Sequence, residues 1–521
     1  MGFNPRSLFQ WLLVLSAACF FFNILLLSGN TSISHQEQRN NLNLRGPDDS
    51  IPAKREVSEK LMQEPQVSSK APEERRKQVV EMMKWAWKGY ETYAFGYDAL
   101  DVNEMKGTGL PGHDMAISLI DSLDTLYIMG LNDEFQRAVQ WTEDNLADRF
   151  EQHVPISIFE TTIRILGGLL SAYNLSGRQK LLTLADDLGT RLLRGLHTDT
   201  LPNSLVDLID GHTSGASFIA EFTTIQLEFK YLSILTKEQA YYDAVEELMD
   251  KVDTIVKRDY PDGVLPVNCD NYNGRIHAGP IKLGAGGDSY YEYLLKQWIF
   301  SGKKETKYKD MYMTAVNGMM KKLVGKTKKS GLVFLGELEI SGKLSPKMDH
   351  LVCFIPGMLT LGYMNGMPKS HLDLAEQLLE TCWEMYNQMG SKLAPEIAYF
   401  EMTKTDRDIN VASNDAFNIL RPETVESLMI MYRLTKDEKY RERGGIILDA
   451  FERNCKLENG GYSSVSEVDK PTAKKYFRRE MESFFMAETL KYLYLLFSDD
   501  SVVPLDTFVF NTEAHPFPIQ Q

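Results

Sequence analysis

The chain has 521 residues, a formal net charge of −15 at pH 7, 43% hydrophobic residues and 11% aromatic residues. This content is ample for a large packed core, whereas the acidic balance leaves no basic face for nucleic acid. The five cysteines include no Cys-x-x-Cys pair, which argues against zinc or thioredoxin-like chemistry. The length allows either several average domains or one large ring-shaped domain with an appendage.

The N-terminal region predicts a membrane attachment. Residues 8–28 form an uncharged apolar run that is about long enough to cross a bilayer as a helix. We interpret the run as a transmembrane signal anchor, with residues 1–7 cytoplasmic and the remainder lumenal; a cleaved signal peptide, which usually has a shorter apolar region, is the alternative. Residues 29–72 are polar and indicate an extended lumenal stem. Asn-x-Ser sequons at Asn30 and Asn174 fit a lumenal chain.

Residues 73–521 predict a single catalytic domain of helical hairpins. Apolar residues recur at helical spacing, and a polar turn followed by an aromatic residue recurs about every 60 to 70 residues. The pattern predicts six or seven hairpins and, with the terminal helices, about fourteen helices. An open solenoid would need polar caps, and because the ends here are apolar we expect the hairpins to close into an α/α ring. A large irregular all-α domain is the alternative.

The last stretch of the chain departs from this helical pattern. Residues 507–510 are β-branched and aromatic, which predicts a short strand in a chain that otherwise reads as helical. Residues 511–515 combine oxygen ligands and an imidazole, and the prolines that follow forbid a helix. We interpret this stretch as a plug that the ring surrounds, with side chains suited to a hard cation.

Acidic residues fall at the predicted starts of alternate helices: Glu160, Asp288, Asp349, Glu423 and Glu488. Each alone has a structural explanation, such as an i,i+4 ion pair between Glu160 and Arg164, or a capping box of Asp288 or Ser289 with Glu292. In a closed ring, however, these helix starts would converge on the central cavity. A cup of carboxylates with Arg, His and Phe suits glycoside hydrolysis, which needs an acid, a base and an aromatic floor.

Several motifs follow one another in chain order: DSLDTLYIMG (121–130), FETTIR (159–164), DSYYEYLLK (288–296), RPETVES (421–427), ESFFMAETLK (482–491) and FNTEAHP (510–516). With these motifs, the chain resembles the class I α1,2-mannosidases of glycoside hydrolase family 47 from about residue 90 to residue 519. The segment KMDHLVCF (347–354) is similar to the endoplasmic-reticulum branch of the family more than to the Golgi branch.

The resemblance implies an (α/α)7 barrel closed at one end by a C-terminal β-hairpin. It also implies an inverting, Ca2+-dependent exo-α1,2-mannosidase that trims high-mannose N-glycans on glycoproteins. We expect a monomeric catalytic domain in a type II protein of the endoplasmic reticulum membrane, with the Golgi membrane as the alternative. The alternative function is a lectin-like protein of the same fold that binds glycans in endoplasmic-reticulum-associated degradation with little or no hydrolysis.

At the matching positions, Glu160 would be the general acid, Asp288 an alternative acid or partner carboxylate, and Glu423 the base. Thr512 would bind Ca2+ through its hydroxyl and backbone carbonyl. The sugar subsite would be lined by Arg164, Glu221, His350, Arg421, Phe484, Glu488 and Glu513.

Two further implications concern particular positions. Cys353 and Cys382 match the disulfide of the family, which leaves Cys269 and Cys455 free. Gly286 stands where endoplasmic-reticulum members carry an arginine that is associated with the choice of mannose. The preferred glycan branch is therefore open, whereas the predicted chemistry is not affected.

Overall fold

The computed structural model describes residues 70–109 and 114–521. The predicted cytoplasmic tail, signal anchor, Asn30 sequon and nearly all of the stem lie outside the described residues. Within the described ranges, no helix is both long enough and apolar enough to cross a membrane.

The described part of the chain is mostly helical, as the sequence predicted. Its longer helices form seven packed pairs, each with one inner and one outer helix. The inner helices are α2 (Leu123–Ile128), α4 (Gly167–Ser176), α6 (Gln226–Thr236), α8 (Asp288–Phe300), α10 (Ile355–Met364), α12 (Glu423–Thr435) and α14 (Leu490–Leu496). The outer helices are α1 (Pro72–Tyr93), α3 (Asn132–Arg149), α5 (Gln179–Leu193), α7 (Gln239–Asp259), α9 (Thr306–Lys322), α11 (Lys369–Asn387) and α13 (Lys439–Asn454).

The inner helices follow one another around a ring. Each contacts the next inner helix along the chain, and the π-helical segment Phe485–Thr489, which leads into α14, contacts α2. Shorter helical segments complete the inner elements: Ile117–Asp121, Ile158–Glu160, Thr161–Leu166, Arg194–Leu196, Ile219–Thr223 and His350–Phe354. The contacts thus close the ring that the apolar chain ends predicted.

Hydrophobic patterning explains which helix of each pair lies inside. On the outer helix α5, the buried leucines include 181, 184, 188 and 192, which form a single stripe at helical spacing. On the inner helix α12, every residue from Glu423 to Arg433 is buried. A helix that is buried on all sides belongs in the interior, so the polar side chains of the inner helices face either a partner or the cavity.

Short strands, which the sequence did not reveal, occupy the connections. They are β1 (Ala99–Asp101), β2 (Lys106–Thr108), β3 (Pro155–Ser157), β4 (Leu205–Asp207), β5 (Thr213–Ser214), β6 (Cys269–Asp270), β7 (Arg275–Ile276), β8 (Val324–Lys326), β9 (Val333–Leu335), β10 (Glu337–Leu338), β11 (Leu344–Ser345), β12 (Lys347–Asp349), β13 (Ile397–Phe400), β14 (Ile409–Asn410), β15 (Phe417–Asn418), β16 (Val465–Ser466), β17 (Lys474–Lys475), β18 (Glu480–Met481), β19 (Phe508–Phe510) and β20 (Pro516–Pro518).

These strands pair in small antiparallel sheets, ordered β18-β1-β2, β3-β4-β5, β12-β13-β14 and β15-β16-β17, with two-stranded ribbons elsewhere. The strands β3, β12, β15 and β18 lie just before inner helical elements. The sheets therefore fix the backbone from which the acidic helix starts project. The expectation that only the C-terminal stretch leaves the helical pattern was wrong, because strands of two to four residues are too short to show a periodicity of two.

The C-terminal hairpin is the predicted plug. In the β19–β20 pair, Val509 faces Phe517. The open end of the hairpin lies at the C-terminal ends of inner helices, where the Gln520 N–H donates to the Phe300 carbonyl at 2.8 Å. The turn of the hairpin reaches the opposite ends of these helices, since the Thr512 hydroxyl donates to a carboxylate oxygen of Glu292 at 2.7 Å.

A buried charged network holds this turn in place. The two ring nitrogens of His515 lie 2.8 Å from Asp124 Oδ2 and 3.1 Å from Asp121 Oδ1. Lys491 Nζ lies 2.8 Å from the other oxygen of Asp124 and donates to the Ala514 carbonyl at 2.7 Å. All four ionisable side chains are completely buried. Since a buried charge is costly without its partner, the network fixes the depth of the turn.

The implied disulfide between Cys353 and Cys382 is confirmed. It connects the segment that leads into α10 with the outer helix α11. Cys269 and Cys455 are free and buried, as expected. Asn174 of the second sequon lies within α4 and accepts a hydrogen bond from the Tyr231 hydroxyl at 3.0 Å.

Candidate active site

Arg164 connects one wall of the cavity to the plug. Its Nε donates to Glu160 Oε2 at 2.8 Å, which confirms the predicted i,i+4 pair. The same guanidinium is hydrogen bonded to Glu513 on the plug and lies 3.5 Å from Asp121 Oδ2. Although burial lowers the pKa of Arg164, the charges of Glu513 and Glu160 raise it above its usual value. Arg164 is therefore a fixed cation between three carboxylates.

Two π-helical segments supply residues to the cavity. Arg164 lies in Thr161–Leu166, and Glu488 lies in Phe485–Thr489. A π-turn inserts one extra residue into a helix, which redirects the side chains within that turn, and such turns are frequent at functional sites. Neither π-helical segment could be predicted from the sequence, because both are embedded in apolar helical patterns.

Phe484 lies close to two cations. The guanidinium carbons of Arg164 and Arg421 are each 5.9 Å from the centroid of its ring. Arg421 is held by Glu396, with Nε at 2.8 Å from both carboxylate oxygens. Glu396 lies in the loop before β13. It could not be predicted as a site residue, because nothing in its local sequence indicates a partner 25 residues away. The arrangement places two cations close to one aromatic ring.

Glu423 is buried at the start of α12 in contact with His350. The Nδ1 of His350 lies 2.7 Å from Glu423 Oε2, and its Nε2 lies 2.8 Å from the Tyr386 hydroxyl. Arg421 Nη1 lies 3.8 Å from the other oxygen of Glu423. Burial alone would raise the pKa of Glu423, but the His350 hydrogen bond and the Arg421 charge lower it below the usual value. Glu423 is thus an ionised carboxylate at neutral pH.

Asp288, unlike Glu423, has a raised pKa. Burial, assisted by the charges of Glu292 and Glu423, raises the pKa of Asp288 to about 7, although the Ser289 N–H donates to it at 2.9 Å. The capping box considered from the sequence was wrong. Gly287 is the N-cap residue of α8 without a side-chain cap, and Glu292 instead accepts the Thr512 hydroxyl.

Glu221 lies close to the charge of Glu160 on the neighbouring wall. Burial raises the pKa of Glu221 to about 7, with Glu160 adding to the effect, although the Phe218 N–H donates to it at 2.7 Å. Its backbone neighbour Ala220 donates to the Gly286 carbonyl at 3.1 Å. Gly286 has φ of +84°, and a Cβ built there would lie 3.2 Å from the Phe218 ring. An arginine at this position would be strained in this backbone conformation.

Around Thr512, hard oxygen donors are crowded together. Glu292, which accepts from the Thr512 hydroxyl, is ion-paired with Lys296, whose Nζ lies 4.0 Å from Glu426 Oε1. Burial and the charges of Glu292 and Glu423 raise the pKa of Glu426 to about 8. Glu292, Lys296 and Glu426 were present in the quoted motifs, but only the folded ring brings them together.

The same crowding affects two predicted subsite residues. Burial and neighbouring carboxylates raise the pKa of Glu488 and of Glu513 well above their usual value. Carboxylate, hydroxyl and carbonyl oxygens are the ligands that Ca2+ prefers, and a divalent cation would relieve the repulsion among these groups. The residues present therefore fit the predicted Ca2+ at Thr512.

A second acidic group lies on the β3–β4 sheet. His153, Asp207 and Asp210 could together surround a metal ion, and His153 Nδ1 lies 3.3 Å from Asp207 Oδ2. His153 and Asp210 are exposed. The sequence predicted none of these three as ligands, and Thr512 is not among them.

The predicted catalytic and sugar-binding residues thus lie near one another, on the helix starts and on the plug. The disulfide residues lie outside it. Three partners that the sequence did not predict complete the ion pairs that hold these side chains. They are Asp121, Glu396 and Lys296.

Comparison with known proteins agrees with this geometry. The model of the family described as glycosyl hydrolase family 47 matches residues 82–519. An endoplasmic reticulum mannosyl-oligosaccharide 1,2-alpha-mannosidase of Rattus norvegicus is 46% identical over 458 residues, covering 86% of this chain and 68% of that protein. The Homo sapiens protein of the same description is 45% identical over 460 residues, covering 85% of this chain and 64% of its own length.

Among solved structures, an alpha-1,2-mannosidase from Trichoderma reesei aligns with a TM-score of 0.76 at 27% identity. The alignment covers 87% of this chain and 100% of that chain. The chain belongs to glycosyl hydrolase family 47.

Proposed function

We propose that this protein is an inverting exo-α1,2-mannosidase that removes terminal α1,2-linked mannose from high-mannose N-glycans on glycoproteins. The observation that carries the proposal is the opposite ionisation of two carboxyl groups on one cavity. Glu423 has a lowered pKa and Asp288 a pKa raised to about 7. Acid and base roles are assigned where environments push the pKa values of two titratable groups apart. The relatives named as 1,2-alpha-mannosidases support the substrate class.

Glu423 acts as the general base in this proposal. Its carboxylate, oriented by the His350 imidazole at 2.7 Å, accepts a proton from the water that attacks the anomeric carbon. In an inverting enzyme the acid and the base are separated widely enough to leave room for this water, and the released sugar has the opposite anomeric configuration.

Two carboxyl groups can supply the proton to the leaving oxygen. Asp288 carries a proton over part of the neutral range because its pKa is about 7. Glu160, directly or through a water, is the other donor, with its carboxylate oriented by Arg164 Nε at 2.8 Å. The group that does not donate would be a partner carboxylate. The pH dependence of kcat/KM in variants of Asp288 and Glu160 distinguishes the two assignments.

The terminal mannose would lie on the Phe484 ring. Arg164 and Arg421, each 5.9 Å from the centroid of that ring, would donate hydrogen bonds to its hydroxyl groups. Glu221, Glu488 and Glu513 would accept from the remaining hydroxyl groups. A barrel that the plug closes at one end would admit only a chain end, which would account for an exo mode of cleavage.

Thr512 would hold the Ca2+ through its hydroxyl and backbone carbonyl. The Glu292 carboxylate lies 2.7 Å from the Thr512 hydroxyl. When bound, the ion would supply positive charge and a flexible oxygen coordination shell that suits a vicinal diol of the sugar. The plug residues Glu513 and His515, which are fixed by Arg164 and by Asp121 and Asp124, keep Thr512 at the required depth.

We further propose that the ring of helical pairs is the (α/α)7 barrel of a catalytic domain spanning residues 73–521. Residues 8–28 would anchor a type II protein in the endoplasmic reticulum membrane, with the Golgi membrane as the alternative. The endoplasmic reticulum relatives support the first compartment. The barrel is proposed to act as a monomer.

The direct test is incubation of the detergent-solubilised full chain with a high-mannose oligosaccharide, with and without a calcium chelator. We expect release of free mannose that stops on chelation and returns when Ca2+ is added. The Glu423→Gln variant, which keeps the shape of the side chain, serves as the inactive control. Absence of release, or release that a chelator does not affect, would contradict the proposal.

A further inference from the structure

Two aromatic side chains form a partly exposed stack beside the β15-β16-β17 sheet. The rings of Phe417 and Phe477 are nearly parallel, with an interplanar angle of 18° and centroids 4.3 Å apart. Phe477 is 43% exposed although it is apolar, and the preceding Tyr476 is 52% exposed. Apolar rings that are held together yet remain accessible to solvent mark a binding surface more often than isolated exposed residues do. We call Phe417 and Phe477 the aromatic platform.

The backbone beneath the platform is held in a strained conformation. Tyr476 has φ of +62°, a region that a bulky side chain rarely adopts. The buried hydroxyls of Ser463 and Ser464 accept the N–H groups of Tyr476 and Arg478 at 3.3 and 2.6 Å, and the Ser464 carbonyl accepts that of Phe477 at 3.3 Å. Strain that is locked by buried hydrogen bonds is a feature of binding and catalytic sites.

Short chain segments connect both platform residues to the candidate active site. Phe417, on β15, precedes Arg421 by four residues, a span of at most about 14 Å of chain. Phe477 lies in the segment between β17 and β18, where Arg478 follows it and pairs with Glu482 at 3.0 Å, two residues before Phe484. The platform is thus connected, by short chain segments, to one cation and to the aromatic floor of the cavity.

A backbone contact strengthens this connection. The Asp415 carbonyl, two residues before Phe417, accepts the Glu396 N–H at 3.1 Å, and Glu396 is the carboxylate that holds Arg421. The rim that carries the platform and the wall that carries Arg421 are therefore one hydrogen-bonded unit. This connection places the platform next to the elements that carry the candidate active site.

We propose that the aromatic platform binds sugar residues of the glycan beyond the one that is joined to the cleaved mannose, by stacking of a pyranose ring on Phe477. The proposal rests on the proposed exo-mannosidase function, since an exo enzyme encloses only the terminal sugar and leaves the rest of the glycan at the rim. The C–H face of a pyranose is apolar and flat enough to pack on an aromatic ring, and its hydroxyl groups remain in water. A rigid platform loses little conformational entropy on binding.

The test compares a long and a short substrate on the full chain. For Phe477→Ala, we expect KM for a high-mannose oligosaccharide to rise roughly three- to tenfold, the range of a stacking contact, with kcat unchanged. Cleavage of α1,2-mannobiose, which is too short to reach the rim, should not change. Phe477→Trp, which keeps an aromatic face, should retain the low KM.

The matched control is Tyr127→Ala. Tyr127 is 38% exposed, packs on Phe135 with centroids 5.2 Å apart, and lies near the C-terminal end of α2, away from the acidic helix starts. We expect this variant to behave as the unmodified protein with both substrates. Melting temperatures of all variants report on any loss of folding.

An unchanged KM for the long substrate in Phe477→Ala would overturn the platform, and so would an equal loss on the disaccharide. Neither result would affect the proposed function, which is contradicted if the unmodified protein releases mannose from neither substrate. In that event, binding of the oligosaccharide to Glu423→Gln with and without Phe477→Ala still decides the question. Equal affinity in the two variants would contradict the platform.

Discussion

The imidazole of His350 connects Glu423 to the outer wall of the ring. Its Nδ1 lies 2.7 Å from Glu423 Oε2, while its Nε2 lies 2.8 Å from the hydroxyl of Tyr386 on α11. His350 is 1% exposed and Glu423 is 8% exposed. The contact makes His350 a positioning residue for the proposed base and explains why the pKa of Glu423 falls below its usual value although burial raises it.

Replacement of His350 should change the pH dependence of turnover. In His350→Phe the pKa of Glu423 should rise, because burial then acts without the opposing hydrogen bond. The base must be ionised, so the acidic limb of the kcat/KM profile should move to higher pH. The pH profile measures this effect, and His153→Phe, an exposed histidine, is the control. A lower kcat with an unmoved acidic limb would contradict the positioning role.

Asp288 determines the alkaline limb if it is the proton donor. Its pKa of about 7 means that it loses its proton as pH rises through the neutral range, and kcat/KM should fall over the same range. Asp288→Asn should then lower kcat about 10²- to 10⁴-fold and abolish the alkaline limb. Should Glu160 be the donor, Glu160→Gln would show this loss instead, and the limb would persist in Asp288→Asn.

Calcium at Thr512 should stabilise the folded protein. A ligand present at 100 times its dissociation constant adds about 2.7 kcal/mol to the free energy of unfolding, so Ca2+ should raise the melting temperature and a chelator should lower it. Thr512→Val, which removes only the hydroxyl ligand, should reduce this response. Thr507→Val on the same hairpin, where the side chain is exposed, is the matched control. A full Ca2+ response in Thr512→Val would exclude the Thr512 hydroxyl as a ligand.

The plug should depend on His515. Replacement by Ala leaves the buried Asp121 and Asp124 without one partner, which should cost about 3–5 kcal/mol of unfolding free energy. Denaturant titration measures the change, with the exposed His197→Ala as the control, for which we expect about 0.5 kcal/mol or less. A loss as small as that of the control would contradict a stabilising role for the network.

The same network predicts that the folded protein loses stability at low pH. Burial raises the pKa of Asp124, but the charges of Lys491 and His515 prevail and lower it to about 2. Its stabilisation is therefore present above the unfolded value of about 3.9 and should be lost as pH falls from there toward 2. In His515→Ala this acid-dependent loss should be smaller.

Local patterns in the sequence predicted the features that depend on neighbouring residues. The repeated polar turns indicated the helical pairs, and the strand-like residues before His515 indicated the plug. The Glu160–Arg164 contact follows from one helical turn of spacing. These features are readable because each is encoded within a few residues of its own position.

Features that depend on tertiary contacts could not be predicted from the sequence. Glu292 was interpreted with the cap of α8, yet in the ring it lies between Lys296 and Thr512, which is 220 residues away. Glu396 lies on a loop and acquires its role only through Arg421. The two-residue strands and the π-helical segments are set by packing around the ring, and no periodic pattern marks them.

The central claim is hydrolysis with inversion, carried out by Glu423 as the base. Proton NMR can follow the anomeric signal of mannose released from a high-mannose oligosaccharide during the first turnovers, before mutarotation, in the unmodified protein and in Glu423→Gln. The account predicts initial β-mannose from the unmodified protein and no turnover by a variant that still binds the glycan. Initial α-mannose, or undiminished release by Glu423→Gln, would contradict it.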